Sequence, residues 1–170
     1  MDSALLGQIA ALHEESFGWA LACAGRDRQG AEDVLQVVYL KVLDGRARFA
    51  GRSSLKTWLF GVIRRTASEQ RRRALLGRLT LVPLDHGAEV PSGAPAPDES
   101  ADAAERRDRL VHALGRLPTR QREVLVLVFY HEHSVEEAAV VLGIGIGSAR
   151  THYARGKARL RERLADMGAE

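Results

Sequence analysis

The chain has few of the residues that would direct it toward redox, metal or membrane chemistry. It has one cysteine, Cys23, so an internal disulfide is excluded and no cysteine pair is present to hold zinc. A lone thiol of this kind is expected as a small buried side chain. No run approaches the roughly 18 apolar residues of a membrane span, so no membrane insertion is expected. The opening Met-Asp-Ser lacks the basic flank and apolar stretch of a secretory signal, and a cytoplasmic location is expected. Aromatic residues make up only 5%, so burial must rest mainly on leucine, valine and alanine. That Leu- and Ala-rich, strand-poor composition points to an all-α protein. No glycine-rich phosphate loop and no nucleophile motif occurs. His131 and His133 form an H-x-H pair and His13 precedes two glutamates, but no further ligand stands at a fitting spacing. These histidines are expected at the surface, with no metal, no cofactor and no catalytic residue. The N-terminal half shows no alternating β-α pattern, which counts against a receiver domain of the response-regulator kind.

The charge is distributed in blocks. The net charge is only +3, so the arrangement matters more than the sum. Residues 45–78 hold ten Lys or Arg and one acid, Glu69. Residues 83–105 hold six acids and neither Lys nor Arg. Residues 147–163 hold six Lys or Arg and one acid, Glu162. The acidic stretch also carries four of the five prolines, so it cannot sustain a helix. Leu84–Ser100 reads as extended or disordered. The expected organisation is therefore two small helical domains, residues 1–81 and 102–170, joined by a flexible acidic linker at 82–101. No internal repeat is seen.

In the first domain, Leu5, Ile9 and Leu12 recur at helical spacing, and Phe17 and Leu21 continue the apolar side. Arg26–Gly30 reads as a polar break. Ala31–Leu43 is a second helix, with Val34, Leu35, Val38 and Val42 as its apolar stripe and Glu32, Asp33 and Gln36 off it. Gly45–Ser54 is a polar, basic loop. Leu55–Leu76 is a long third helix, apolar at Trp58, Leu59, Val62 and Ile63 and strongly basic from Arg64 onward. In the second domain a first helix is expected over Ala103–Arg116. A turn follows at Leu117-Pro-Thr, with Thr119 as N-cap. Leu125, Val128 and Phe129 face inward on the next helix, which His131-Glu-His133 ends. Ser134 and Glu137 make an S-x-x-E capping box, Gly143 stops that helix, and Gly147 and Ser148 open the last one.

A short capped helix, a glycine-rich turn and an arginine-studded helix form a helix-turn-helix pattern. In that motif the N-terminal part of the second helix enters the major groove. The entering residues here would be Ser148, Arg150, Thr151, His152 and Arg155, with arginine able to bridge guanine and hydroxyls able to bond phosphate or base edges. Lys157, Arg159, Arg161 and Arg163 continue along the helix as phosphate contacts or a solvated face. In the N-terminal block, Phe49-Ala-Gly-Arg-Ser-Ser-Leu-Lys-Thr-Trp-Leu runs from a polar loop into an aromatic-led helix. Hydroxyls, a glycine and basic side chains suit an unstacked base with its phosphates held nearby. Periodicity alone gives Trp58 a core role, while Phe49 fits either role. Arg71-Arg-Arg73 reads equally as a phosphate grip or a solvated helix end.

These motifs, in this order, resemble a bacterial extracytoplasmic-function (group IV) sigma factor of RNA polymerase. Ala31-Glu-Asp-Val-Leu-Gln-Val-Val-Tyr-Leu is similar to the region 2 helix that binds the polymerase. Phe49 through Arg64 resembles the part of region 2 that melts and captures the −10 element. Leu117-Pro-Thr-Arg-Gln-Arg-Glu-Val-Leu resembles the start of region 4, and Gly147 through Leu160 its −35 recognition helix. The resemblance implies an alternative sigma factor that binds core RNA polymerase, through the β′ clamp helices and the β flap, and directs initiation at a promoter subset. It implies Asp33 and Gln36 as polymerase contacts. It implies Phe49, Arg52, Ser53, Ser54, Lys56, Trp58, Arg64, Arg65, Glu69, Arg72 and Arg73 at −10 DNA, and Ser148–Arg155 at −35 DNA. It also implies an anti-sigma factor as a partner and a linker that threads the polymerase channel. The chain departs from the usual pattern at Arg65 (commonly Asn), Glu69 (commonly Asp), Ser148-Ala149 (commonly Thr-Val) and His152 (commonly Arg).

Overall fold

The computed structural model describes residues 3–79 and 101–167, with the side chains of 77–79 left aside. The expected linker, apart from Ala101, lies outside the described residues. Those residues form eight helices and no strand. The chain divides into two units, one built mainly on the first four helices and one mainly on the last four.

The N-terminal unit contains α1 (Ser3–Ala11), α2 (His13–Cys23), α3 (Arg28–Leu43) and α4 (Leu55–Leu79). Its core is an apolar stripe from each of three helices. Helix α3 contributes Ala31, Val34, Leu35, Val38 and Val42, the expected stripe with Ala31 added. Helix α3 begins at Arg28, so the expected break over Arg26–Gly30 is shorter. Asp27 in extended backbone opens the helix, and its carbonyl accepts the Ala31 N–H at 3.0 Å. Helix α4 contributes Leu59, Phe60, Val62, Ile63 and Ala67. Helix α2 departs from the sequence expectation. Of Leu5, Ile9, Leu12, Phe17 and Leu21, only Ile9 is buried. The inner face of α2 is instead Ser16, Trp19, Ala20 and Cys23, at i, i+3, i+4 and i+7. Trp19 is fully buried, its ring stacks on Phe60 at 5.9 Å, and its indole N–H donates to the Phe60 carbonyl at 3.0 Å. The small neighbours Ser16, Ala20 and Cys23 make room for that ring. Trp58, to which periodicity gave the core role, is only half-buried.

The C-terminal unit contains α5 (Ala101–Gly115), α6 (Thr119–Phe129), α7 (Val135–Leu142) and α8 (Ile146–Met167), with α5 and α6 packed on α8. The capping box forms as expected. The Ser134 N–H donates to the Glu137 carboxylate at 2.9 Å, and the Glu137 N–H donates to the Ser134 hydroxyl at 3.1 Å. Gly143 ends α7 with φ +62°, a left-handed conformation that a β-carbon disfavours. Helix α8 opens at Ile146, one residue before Gly147.

Four expectations for this unit are corrected. Thr119 is the first residue of α6 rather than its cap. Pro118 takes the cap position with no side-chain bond, and its carbonyl accepts the Arg122 N–H at 3.0 Å. Phe129 is 60% exposed, because α6 turns Val124, Leu125 and Leu127 inward and leaves its last residue at the rim. There Phe129 stacks on Tyr153 at 5.9 Å. Val128 is half-buried rather than fully inward. His131 and His133, expected at the surface, are both buried. Their backbone N–H groups donate back to Val126 and Leu127 at the end of α6, and Glu132 between them has φ +57°. That doubling back folds both imidazoles under the turn.

Helix α8 approaches α6 closely at a glycine. A β-carbon at Gly156 would sit 3.1 Å from Gln121 Cβ and 3.3 Å from its carbonyl oxygen. Neither atom is the far end of a flexible chain. We expect Gly156→Val to destabilise the C-terminal unit by about 1–3 kcal/mol through overpacking, read as a lowered midpoint in denaturant unfolding. Trp19→Ala should cost the N-terminal unit about 3–5 kcal/mol through the lost ring and the cavity it leaves.

Candidate nucleic-acid interface

The loop from Gly45 to Ser54 leads into α4 through a hydroxyl cap. Ser54 Oγ accepts the Thr57 N–H at 3.1 Å and donates to the Thr57 hydroxyl at 2.8 Å. Ser54 thus starts the helix, while Ser53 bonds only the adjacent carbonyl of Ser54. Phe49 and Trp58 are both half-buried and meet at 5.4 Å with planes tilted by 53°. This aromatic pair at the loop–helix junction leaves ring surface for a base to stack on. Arg52 is exposed beside it.

The cations along α4 have different partners. Lys56 is ion-paired to Glu15 of α2 and lies over the Phe60 ring at 5.8 Å. Arg65 is exposed and donates to the Gly61 carbonyl at 3.2 Å, one turn back. Arg64 is half-buried. Arg71 reaches across to the Cys23 carbonyl at 2.6 Å, which satisfies the C-terminal end of α2. Arg72 and Arg73 stand exposed beyond it. Glu69, the single acid of the block, is held at 2.8 Å by Lys41 of α3. The Lys41 hydrogen bond, joined by the charges of Lys41, Arg73 and Arg72, keeps the Glu69 carboxyl below the usual carboxylate range. Glu69 is therefore ionised at neutral pH, and the pair persists until the pH falls through that depressed value.

Asp33 and Gln36 lie exposed on α3, and Gln29 donates to Asp33 at 3.1 Å. Two residues that sequence reasoning missed continue the same stripe. Leu40 and Leu43 follow at seven and ten residues after Asp33 and are 46% and 51% exposed. The signal was present, since 33, 36, 40 and 43 repeat with the spacing of a coiled-coil seam. On the flank of α3, a groove of about 600 Å³ opens beside α2, lined by His13, Phe17, Arg28, Leu35, Gln36 and Tyr39.

In the C-terminal unit all five expected DNA-facing residues fall in the first three turns of α8. Ala149 and Gly156 are buried against the rest of the unit. Ser148, Thr151 and Arg155 recur at i, i+3 and i+7 and share an exposed face, with His152 half-buried at its edge. The Thr151 hydroxyl bonds the Gly147 carbonyl at 2.9 Å. Arg150 lies off that stripe, and its guanidinium pairs with Glu136 of α7 at 2.9 Å. That bond holds the Glu136 carboxyl below its ordinary range. The two helices of the motif are thus tied by one ion pair at their exposed rim. Lys157 lies over the Tyr153 ring at 5.4 Å. Among the described residues no group of three His, Cys, Asp or Glu side chains could hold a metal, and no helix is long and apolar enough to cross a membrane.

Comparison with known proteins matches both units. Residues 10–75 match the family described as Sigma-70 region 2, and residues 107–160 match Sigma-70, region 4. The ECF RNA polymerase sigma factor SigX of Bacillus subtilis is 32% identical over 141 residues, covering 82% of this chain and 73% of SigX. RNA polymerase sigma factor CarQ of Myxococcus xanthus is 31% identical over 140 residues, covering 82% of this chain and 78% of CarQ. Among solved structures, the sigma factor RpoE of Bartonella quintana, in complex with the anti-sigma factor NepR, is similar with a TM-score of 0.78. That match is at 25% identity and covers 96% of this chain and 98% of RpoE. The region 2 and region 4 matches, in that order on an all-helical chain with a capped helix-turn-helix, place this protein in the family: the chain belongs to the ECF sigma factors of RNA polymerase.

Proposed function

We propose that this sigma factor binds core RNA polymerase through α3 and directs it to promoters by reading −35 duplex with α8 and capturing melted −10 DNA with the α4 block. The observation that carries the reading is the pair of basic, solvent-facing surfaces, one on each unit and each backed by a rigid apolar face. The α8 face of Ser148, Thr151 and Arg155 suits the major groove, with His152 at its edge and Arg150 oriented by Glu136. The Phe49–Trp58 pair offers a stacking platform for a displaced base. Arg52, Ser53, Ser54, Arg64, Arg65, Arg72 and Arg73 offer phosphate and edge contacts near it. Lys56 and Glu69 serve this surface through their partners Glu15 and Lys41. Asp33 and Gln36, extended by Leu40 and Leu43, form a stripe for the β′ clamp helices, and the second unit meets the β flap.

The protein acts by binding, with no catalytic residue, metal or cofactor of its own, and works in the cytoplasm where the polymerase is. An anti-sigma factor, of the kind bound to the similar RpoE, restrains it. The linker at 82–101 joins the two readers, so that the affinity of each adds to that of the other on one promoter.

Run-off transcription with core enzyme and genomic fragments should yield discrete start sites that vanish without this chain. Core binding with no transcript at any promoter would instead make it an adaptor. The variant Asp33→Ala/Gln36→Ala should weaken core binding by about 1–2 kcal/mol, as measured by fluorescence anisotropy. Arg155→Ala should weaken binding to the mapped −35 duplex by about 1–3 kcal/mol, with base preference altered at one position if the contact is to a base edge. A uniform loss across sequences would assign Arg155 to phosphate.

A further inference from the structure

The basic end of α4 leaves the core after Ala67, the last buried residue among the described side chains of the helix. It is pinned from two sides. Arg71 is bonded to the Cys23 carbonyl on α2 at 2.6 Å. On the α3 side, Lys41 Nζ donates to the Thr66 hydroxyl at 3.1 Å and to Glu69 Oε2 at 2.8 Å. Thr66 is buried and Lys41 largely so, which fixes the ammonium in place.

Glu69 has another set of cations within reach. Arg72 and Arg73 stand three and four residues on, the spacing at which a carboxylate and a guanidinium pair along a helix. Both act electrostatically on Glu69 as it stands. A Glu69 without Lys41 would turn to them, and a guanidinium held by a carboxylate is a poorer ligand for phosphate.

We propose that Lys41 is a positioning residue for capture of the −10 strand: by holding the Glu69 carboxylate on the α3 side, it keeps Arg72 and Arg73 available to DNA phosphates. The inference rests on the reading of α4 as DNA-facing. Lys41 itself touches no DNA and acts only through Glu69. Because it sits on the helix that bears the polymerase stripe, it makes the charge of the −10 surface depend on the seating of α3 against α4.

The test uses holoenzyme reconstituted with the full chain and a fluorescent single strand covering a −10 element mapped by run-off transcription. Lys41→Met, which keeps the stem, should weaken strand binding about tenfold. It should also lower the slope of log affinity against log salt by about 0.7–1.4, the loss of one or two phosphate contacts on a single strand. Core affinity should stay within about twofold. Adding Glu69→Gln to Lys41→Met should restore most of the affinity and the slope, since no carboxylate then competes. Lys41→Arg should bind as the unsubstituted chain does. A double variant as weak as Lys41→Met would overturn the proposal and leave Lys41 a structural tie. Unchanged binding by Lys41→Met would overturn it as well. If the unsubstituted holoenzyme fails to bind the strand, the DNA-facing reading of α4 falls, and this proposal falls with it.

Discussion

Much of the N-terminal unit depends on one indole. Trp19 is fully buried, stacked on Phe60 and bonded through its N–H to the Phe60 carbonyl. A buried N–H left unpaired costs about 1–3 kcal/mol, so the bond fixes where α2 meets α4 as well as how tightly. One turn further along α2, the Cys23 carbonyl accepts Arg71. Helix α2 therefore holds α4 at two points, with Phe60 in the core and Arg71 beyond it. Everything proposed for α4, from the Phe49–Trp58 pair to the exposed Arg72 and Arg73, is placed by that double hold. The side that packs is apolar and tightly determined, which leaves the opposite side to be chosen for charge.

The C-terminal unit reaches the same arrangement with smaller residues. Its three aromatics, Phe129, Tyr130 and Tyr153, are all outside the core, so α6 and α8 close on each other over aliphatic groups and a glycine. Gly156 lets the helix backbones approach. Ala149 fills the next inward position two turns earlier, and the face bearing Ser148, Thr151 and Arg155 is thereby turned outward. A recognition helix must present three or four side chains in register with base edges, and that register is set from behind, by the packing of the helix.

Much of this was legible in the sequence, for identifiable reasons. The stripe of Val34, Leu35, Val38 and Val42, the Ser134–Glu137 box and the stop at Gly143 are local signals, and local chemistry decided them. The all-α fold followed from the Leu- and Ala-rich, strand-poor composition and from helical periodicity. What was not legible required knowledge of partners distant in sequence. Periodicity followed Phe17 and Leu21 and passed over Trp19, because its face of α2 also carries Ser16, Ala20 and Cys23, which look polar or small until a ring is seen among them. Gly156 in mid-helix carries no turn signal, and its role exists only because Gln121 lies behind it. His131 and His133 looked polar, yet the left-handed Glu132 folds them inward. The expected −10 group included Lys56 and Glu69 on the strength of position, but nothing in the sequence tells that their charges are met by Glu15 and Lys41.

Those cross-element pairs decide what the two basic surfaces can offer a polyanion. Counting residues 45–78 gives ten cations and one acid, but the effective charge depends on which cations are already committed. Lys56 is committed to Glu15, and Arg71 to a backbone carbonyl. The one acid is offset by a lysine from outside the block. In α8 the exchange runs the other way, since a cation of the reading helix, Arg150, is met by an acid from α7. An exposed pair of this kind adds little stability, but it restricts the rotamers of Arg150, and in the proposed −35 contact that would lower the ordering cost of binding. On the proposed reading, the first unit draws a carboxylate aside and so leaves Arg72 and Arg73 to phosphates, where position along the strand matters little. The second would orient an arginine toward a base edge or a particular phosphate. One surface is then arranged for grip and the other for register, which is what the proposed function asks of a melted strand and a duplex.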